Sequence, residues 1–295
     1  YFAGNDAWFF PRVVSALAGI ATLLLTFQFS RRHFASRRVA WLATVLLAIL
    51  PSHVFYSRLG LQEALSTLLV LAGFYFYIFS RELNWRTFLS GILLAAAFFS
   101  NYRLIILPVL VIFVETWQAV TSRAPWQSRK VVWNILTFFS CVFLIGNLDG
   151  GKNTVITFGW MFHQANLAQR GFDPLNLFSF PYYVFRLENV VFGLLFFGNI
   201  YFIFARRAEK ALPFVLVCLQ MLIFSFASEK GARYICVMTP FMVMAVAGMV
   251  NELLDTRQSM QRILTGVVVV LMMGAMGYKS TRLAQFRSDY QPSAE

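Results

Sequence analysis

The sequence predicts an all-α integral membrane protein, a polytopic helical bundle of about ten transmembrane helices with one long outer loop. Three observations predict it. Hydrophobic residues make up 59% of the 295 and charged residues 13%, about half the charge of a soluble domain. Such a chain cannot cover itself with polar surface, and with a mean hydropathy of +0.64 lipid must be its main solvent. Apolar runs close to the ~20 residues that cross a bilayer recur along the whole chain. The short loops between them alternate in their Lys and Arg content, the usual mark of orientation.

The runs are 11–29, 39–56, 63–80, 87–100, 104–121, 131–147, 186–205, 211–227, 234–254 and 263–279. The fourth and fifth are short and separated only by Asn101-Tyr102-Arg103, which reads as a helical hairpin that just crosses. Residues 1–295 form a single transmembrane domain, with 148–185 as an outer loop within it. The loops SRRHFASRR, RELNWR, TSRAPWQSRK, RRAEK and DTRQSMQR hold 14 of the 25 Lys and Arg and are assigned to the cytoplasm. The outer set holds the other 11, so several outer arginines are not required by topology. Trp160, Phe162, Phe178, Tyr182 and Tyr183 place the 148–185 segment at the membrane interface.

The net charge of +12 suggests nucleic acid only in a soluble protein. Here the basic residues sit in short clusters between apolar runs, where positive-inside bias and anionic lipid account for them. No helix-turn-helix, RNA-binding or zinc pattern is present. Cys141, Cys218 and Cys236 lie in apolar runs without paired spacing and read as buried small hydrophobes. The 33 phenylalanines suit lipid-facing surface and need no cofactor. The opening YFAGNDAW has no basic stretch ahead of an apolar core, so it is not a signal peptide. A chain that begins at Tyr1 is expected to have its N-terminal part upstream.

Three stretches carry chemistry. In PSHVFYSRLGLQEALSTLL, Arg58 lies in a short outer turn and Glu63 opens the next apolar helix. A carboxylate at that depth costs roughly 2.5–3.5 kcal/mol on insertion scales and needs a partner or a wet cavity. The simpler alternative is a first-turn glutamate favoured by the helix dipole, with Arg58 as its interfacial partner. In SEKGARYICVMTPF, Lys230 and Arg233 flank Gly231 ahead of Tyr234. They could clamp a phosphate, or merely snorkel at a helix end. In SNYRLIILP, Tyr102 and Arg103 stand at the tip of the hairpin. Three cationic tips on one side make a shared anion site more credible than any one alone. His163 in the long loop is a candidate base or ligand without a second ligand at metal spacing. His33 and His53 receive no role.

These stretches resemble the GT-C membrane glycosyltransferases, in particular the protein O-mannosyltransferase and aminoarabinose-transferase branch. YFAGNDAWFFPRVVSALAGIATLLLTF is similar to the lead into the family's second helix, with Arg12 as the matching arginine. PSHVFYSRLGLQEAL is similar to the next outer turn, where an arginine precedes an acidic residue by five positions, as Arg58 precedes Glu63. Relatives more often carry Asp there. LSGILLAAAFFSNYRLIILPVLVI looks like the family's hairpin with its basic tip, Arg103. The final stretch, through Arg233-Tyr234 and Pro240, looks like its late R-Y-x-x-x-x-x-P helix.

The resemblance implies a GT-C-like fold. It also implies transfer of one sugar from a polyprenyl-phosphate-sugar donor to a lipid, glycan or protein acceptor on the outer face, in a bacterial inner membrane. Arg58, Arg103, Lys230 and Arg233 would bind the donor phosphate, supported by Glu63, Tyr102, Tyr234 and His163. The family's catalytic carboxylate lies in its first outer loop, expected upstream of Tyr1, so residues 1–295 alone are expected to be inactive. No cofactor is specified and a divalent metal is left open. The competing reading is a polytopic transporter or lipid flippase, though neither inverted repeats nor mid-membrane helix breaks are evident.

Overall fold

The computed structural model describes residues 9–59, 62–80, 82–122, 125–148, 152, 159, 177–205, 207–226, 233–255 and 258–285. Among them there are helices and turns and no strands, as an apolar solvent demands of a chain whose backbone must satisfy itself. The helices are α1 (Phe9–Phe34), α2 (Arg37–Ile49), α3 (Pro51–Arg58), α4 (Gln62–Ile78), α5 (Trp85–Ser100), α6 (Leu107–Ser122), α7 (Ser128–Gly146), α8 (Ser179–Tyr183), α9 (Val190–Phe197), α10 (Ile200–Phe204), α11 (Leu212–Ser225), α12 (Arg233–Cys236), α13 (Thr239–Leu254) and α14 (Ser259–Gln285). Each of the ten apolar runs holds a helix. Five segments are long and apolar enough to cross a membrane alone, and α2 with α3 makes a sixth if the bent pair is one span. Four more, Gln62–Ile78, Trp85–Ser100, Val190–Phe204 and Thr239–Leu254, are shorter.

Two boundaries differ from the sequence reading. The run 39–56 is bent by 58° rather than straight. Leu50 precedes Pro51, and the proline ring drives the residue before it out of the helical region. Leu50 is accordingly extended (φ −67°, ψ 120°), and Pro51 starts α3 at its first turn, where its missing N–H costs nothing. The run 186–205 begins later. Asn189 is extended and caps α9 by accepting the N–H of Val191 at 2.8 Å. A π-type turn, Val184–Glu188, precedes it. The supposed marginal hairpin is more generous than expected, because Tyr102–Ile106 forms a 3₁₀ turn that extends α6 to a segment of 21 residues.

The core centres on α13. Every residue from Thr239 to Gly248 is buried, the pattern of a helix with apolar neighbours all round. Around it stand α1, α2, α4, α9, α11 and α14. α1 turns Ser15, Ala18, Gly19, Thr22, Thr26 and Ser30 inward, a stripe of small residues that lets helices approach closely without water to drive them. One close approach that meets backbone is between α5 and α7. A Cβ on Gly91 would lie 2.8 Å from the Asn134 carbonyl oxygen and 2.8 Å from Thr137 Cβ. A backbone oxygen cannot rotate away, so Gly91→Val should destabilise the bundle by about 1–3 kcal/mol. An unchanged unfolding midpoint in detergent would show that α7 is free to shift.

Candidate active site

At the end of α5, Asn101 leaves the helical region (φ −152°, ψ 98°) and its side-chain oxygen accepts the N–H of Arg103 at 3.3 Å. This local cap fixes Tyr102 and Arg103 in the turn between α5 and α6. The Arg103 guanidinium carbon lies 5.2 Å from the centre of the Tyr102 ring and 4.7 Å from that of Tyr234. Arg233 lies 5.7 Å from the same Tyr234 ring. Two arginines 130 positions apart thus share one aromatic ring, a favourable site for each cation. Tyr234 is held in place by stacking on Phe224 (5.3 Å, 24°) and by Phe180 of α8 at 6.4 Å. Its carbonyl accepts a 2.7 Å bond from Gln220 Nε2.

Glu63 stands in the first turn of α4. Only 4% of it is exposed, and Glu63 Oε2 has no hydrogen-bond partner among the described residues. A buried carboxylate oxygen without a donor is costly, and the N-terminus of α4 offsets only part of that cost. Tyr56 of α3 stands within electrostatic reach of both Glu63 and Arg233, and its hydroxyl donates toward the Cys236 sulfur. Tyr56 therefore links Glu63 to Arg233, which shares the Tyr234 ring with Arg103.

A second buried carboxylate, Glu188, also acts electrostatically on Cys236. It accepts the Ser52 N–H at 3.4 Å, one of the amides that α3 leaves unsatisfied after the Pro51 break. Lys279 of α14 donates to the Arg186 carbonyl at 2.8 Å and to that of Leu187. Between Glu188, Ser52, Cys236 and Thr239 there is a cavity of about 10 Å³, the size of one water molecule. The sequence reading passed over Glu188, although a carboxylate at the end of a predicted span is the same signal that singled out Glu63.

Arg58 goes elsewhere. It is exposed, and its guanidinium donates to the Leu283 carbonyl at 2.9 Å. It forms no ion pair with Glu63, so the interfacial partnership considered for these two is absent. The reason lies in packing: α3 lies along α14, and the last turn of α14 presents carbonyls that lack intrahelical donors, which a nearby arginine satisfies. Lys230 and His163 lie outside the described residues, as does most of the 148–185 loop. Its end is described, and residues 177–188 form short helical turns with Phe180 and Val184 buried. Among the described residues no three His, Cys, Asp or Glu side chains gather at metal-binding distance.

The comparisons with known proteins agree with this architecture. The family model for dolichyl-phosphate-mannose-protein mannosyltransferases matches residues 1–146. No curated protein matches the chain by sequence. The fold is similar to that of ArnT from Cupriavidus metallidurans, solved bound to undecaprenyl phosphate, with a TM-score of 0.66 at 14% identity. The match covers 95% of this chain and 52% of that one, so the chain spans about half the length of that relative. The protein is an integral, multi-pass membrane protein with the GT-C fold. Residues 1–146 thus match the dolichyl-phosphate-mannose-protein mannosyltransferase family, and the chain as a whole shares the fold of the aminoarabinose transferase ArnT.

Proposed function

We propose that this chain forms the membrane core of a glycosyltransferase that moves a sugar from a polyprenyl-phosphate-sugar donor to an acceptor at the Arg103 end of the bundle. The observation that carries it is the convergence of Arg103 and Arg233 on Tyr234, with the buried Glu63, whose Oε2 meets no donor among the described residues, linked to Arg233 through Tyr56. In such a transfer the acceptor oxygen attacks the anomeric carbon and the sugar–phosphate bond breaks, leaving negative charge on the polyprenyl phosphate. Preorganised guanidinium groups at that position stabilise the developing charge. Arg103 and Arg233 take this role, with Lys230 on the same connection and Arg58 at the flank. Glu63 faces the same region and orients the acceptor hydroxyl, while the family's catalytic carboxylate is expected in the first outer loop. The active face is outward, in a bacterial inner membrane, and the acceptor is a lipid, a glycan or a protein.

The test is transfer from a radiolabelled polyprenyl-phosphate sugar in membranes containing the full-length protein. Label should move to an acceptor and polyprenyl phosphate should be released. Glu63→Gln should lower turnover by about 10²-fold, the cost of misplacing a reacting group by about an ångström, with folded protein unchanged. Movement of the intact donor across the bilayer without release of polyprenyl phosphate would replace this reading with that of a flippase.

A further inference from the structure

α5 is 16 residues long, about 24 Å at 1.5 Å per residue, and a second cationic site lies at its other end. Arg32, in the last turn of α1, and Arg86, in the first turn of α5, line one cleft of about 150 Å³ with Tyr75, Phe76, Phe79 and Trp85. The Arg32 guanidinium lies 5.1 Å from the centre of Tyr75 and 5.7 Å from that of Phe79. Arg86 lies 5.8 Å from the centre of Trp85. Rings engage the flat faces of a guanidinium and leave its N–H edges for in-plane acceptors. Among the described residues neither arginine's side chain donates a hydrogen bond or meets a carboxylate.

Several other basic groups at this end do meet carboxylates. Arg38 pairs with Asp255 at 3.1 Å, and Arg207 and Lys210 share Glu252, the latter at 3.3 Å. Arg32 and Arg86 share a cleft without such a partner, and two like charges against a low-dielectric wall repel unless an anion sits between them. The cleft opens where Trp85, 63% exposed, and Phe88, 37% exposed, face outward from α5, the place of an interfacial aromatic.

We infer that this cleft binds a phosphate group, gripped edge-on by Arg32 and Arg86, and that its position favours the headgroup of an anionic phospholipid in the adjoining leaflet. Guanidinium edges suit phosphate oxygens bidentately, and the aromatic walls hold the arginines ready without neutralising them. Neither arginine belongs to the site around Tyr234, so the inference stands apart from the transfer reaction.

The experiment uses the purified protein in detergent, with two probes. One is phosphatidylglycerol retained through purification and counted by native mass spectrometry. The other is inorganic phosphate, followed by thermal unfolding. Retained phosphatidylglycerol should fall about tenfold in Arg32→Gln/Arg86→Gln, and less than about twofold in Arg37→Gln/Arg129→Gln, which removes the same charge from the same end as a diffuse surface effect would sense it. Arg86→Gln alone leaves the Tyr75–Arg32–Phe79 stack intact and serves if the double variant does not fold. Retention without a response to inorganic phosphate supports the lipid as ligand. A rise in melting temperature with inorganic phosphate, abolished by the double variant, supports the same site with a soluble anion as sufficient. Equal losses in the two double variants, or no loss in either, overturn the inference.

Discussion

Lys130→Met is expected to destabilise the folded protein by roughly 3–5 kcal/mol, the range for breaking a buried ion pair from one side. Lys130 of α7 and Glu115 of α6 are each 3% exposed and meet at 3.0 Å. The same carboxylate oxygen accepts the Tyr77 hydroxyl of α4 at 2.9 Å, and its other oxygen accepts the Gln127 N–H at 3.1 Å. The ammonium also lies 4.1 Å from the centre of the Tyr77 ring. One buried carboxylate thus ties α4, α6, α7 and the 125–127 connection together at the basic-loop end. Removing the lysine leaves a carboxylate with two neutral donors and no counter-charge in a low-dielectric interior. Removing both charges should cost much less than the two single changes added together. Glu115→Gln/Lys130→Met is therefore expected to recover at least half of the loss, read as the unfolding midpoint in a denaturing-detergent titration. A single variant within about 0.5 kcal/mol of the parent would mean that water reaches this network.

The network also marks where sequence reading stops. The ten helical segments were legible because apolar runs and basic loops follow directly from the bilayer. Glu115 lay inside the predicted run 104–121 and carried the signal used for Glu63, a carboxylate at membrane depth, so it could have been found. Its partner could not, since Lys130 reads as one more basic loop residue until α7 packs against α6. Pro51 likewise lay inside a predicted helix, and its presence alone argues for the observed break. The position of Arg58 had no local cue at all. Its acceptor is 225 residues away, and only the docking of α14 on α3 brings the two together. Arg103 and Arg233 were named from residue type and family resemblance. Their shared ring, Tyr234, is a product of the turn at Asn101 and of the stack with Phe224, neither of which spacing encodes.

Arg233→Ala is the substitution expected to weaken sugar transfer most among those the structure singles out. If Arg233 stabilises charge that develops on the leaving phosphate, its loss should lower kcat by about 10²–10³, as removal of a preorganised charge-stabilising donor does. A residue that only helped to hold the donor in the ground state would raise KM and leave kcat unchanged, so the split between the two constants identifies the role. The stability cost should be small by comparison, about 0.5–1 kcal/mol for one exposed cation–π contact with Tyr234. Arg233→Lys should fall between, since an ammonium keeps the charge but lacks the planar fork that matches phosphate oxygens. Arg282→Ala is the matched control: an exposed arginine at the same end, resting against Tyr278 of α14 at 5.3 Å and remote in kind from the shared ring. It should leave transfer within about twofold of the parent, as a surface change away from the site does. Should Arg233→Ala transfer sugar as well as Arg282→Ala while folding normally, Arg103 and Arg233 would be headgroup contacts and the phosphate site would have to be sought around Glu188 and Lys279.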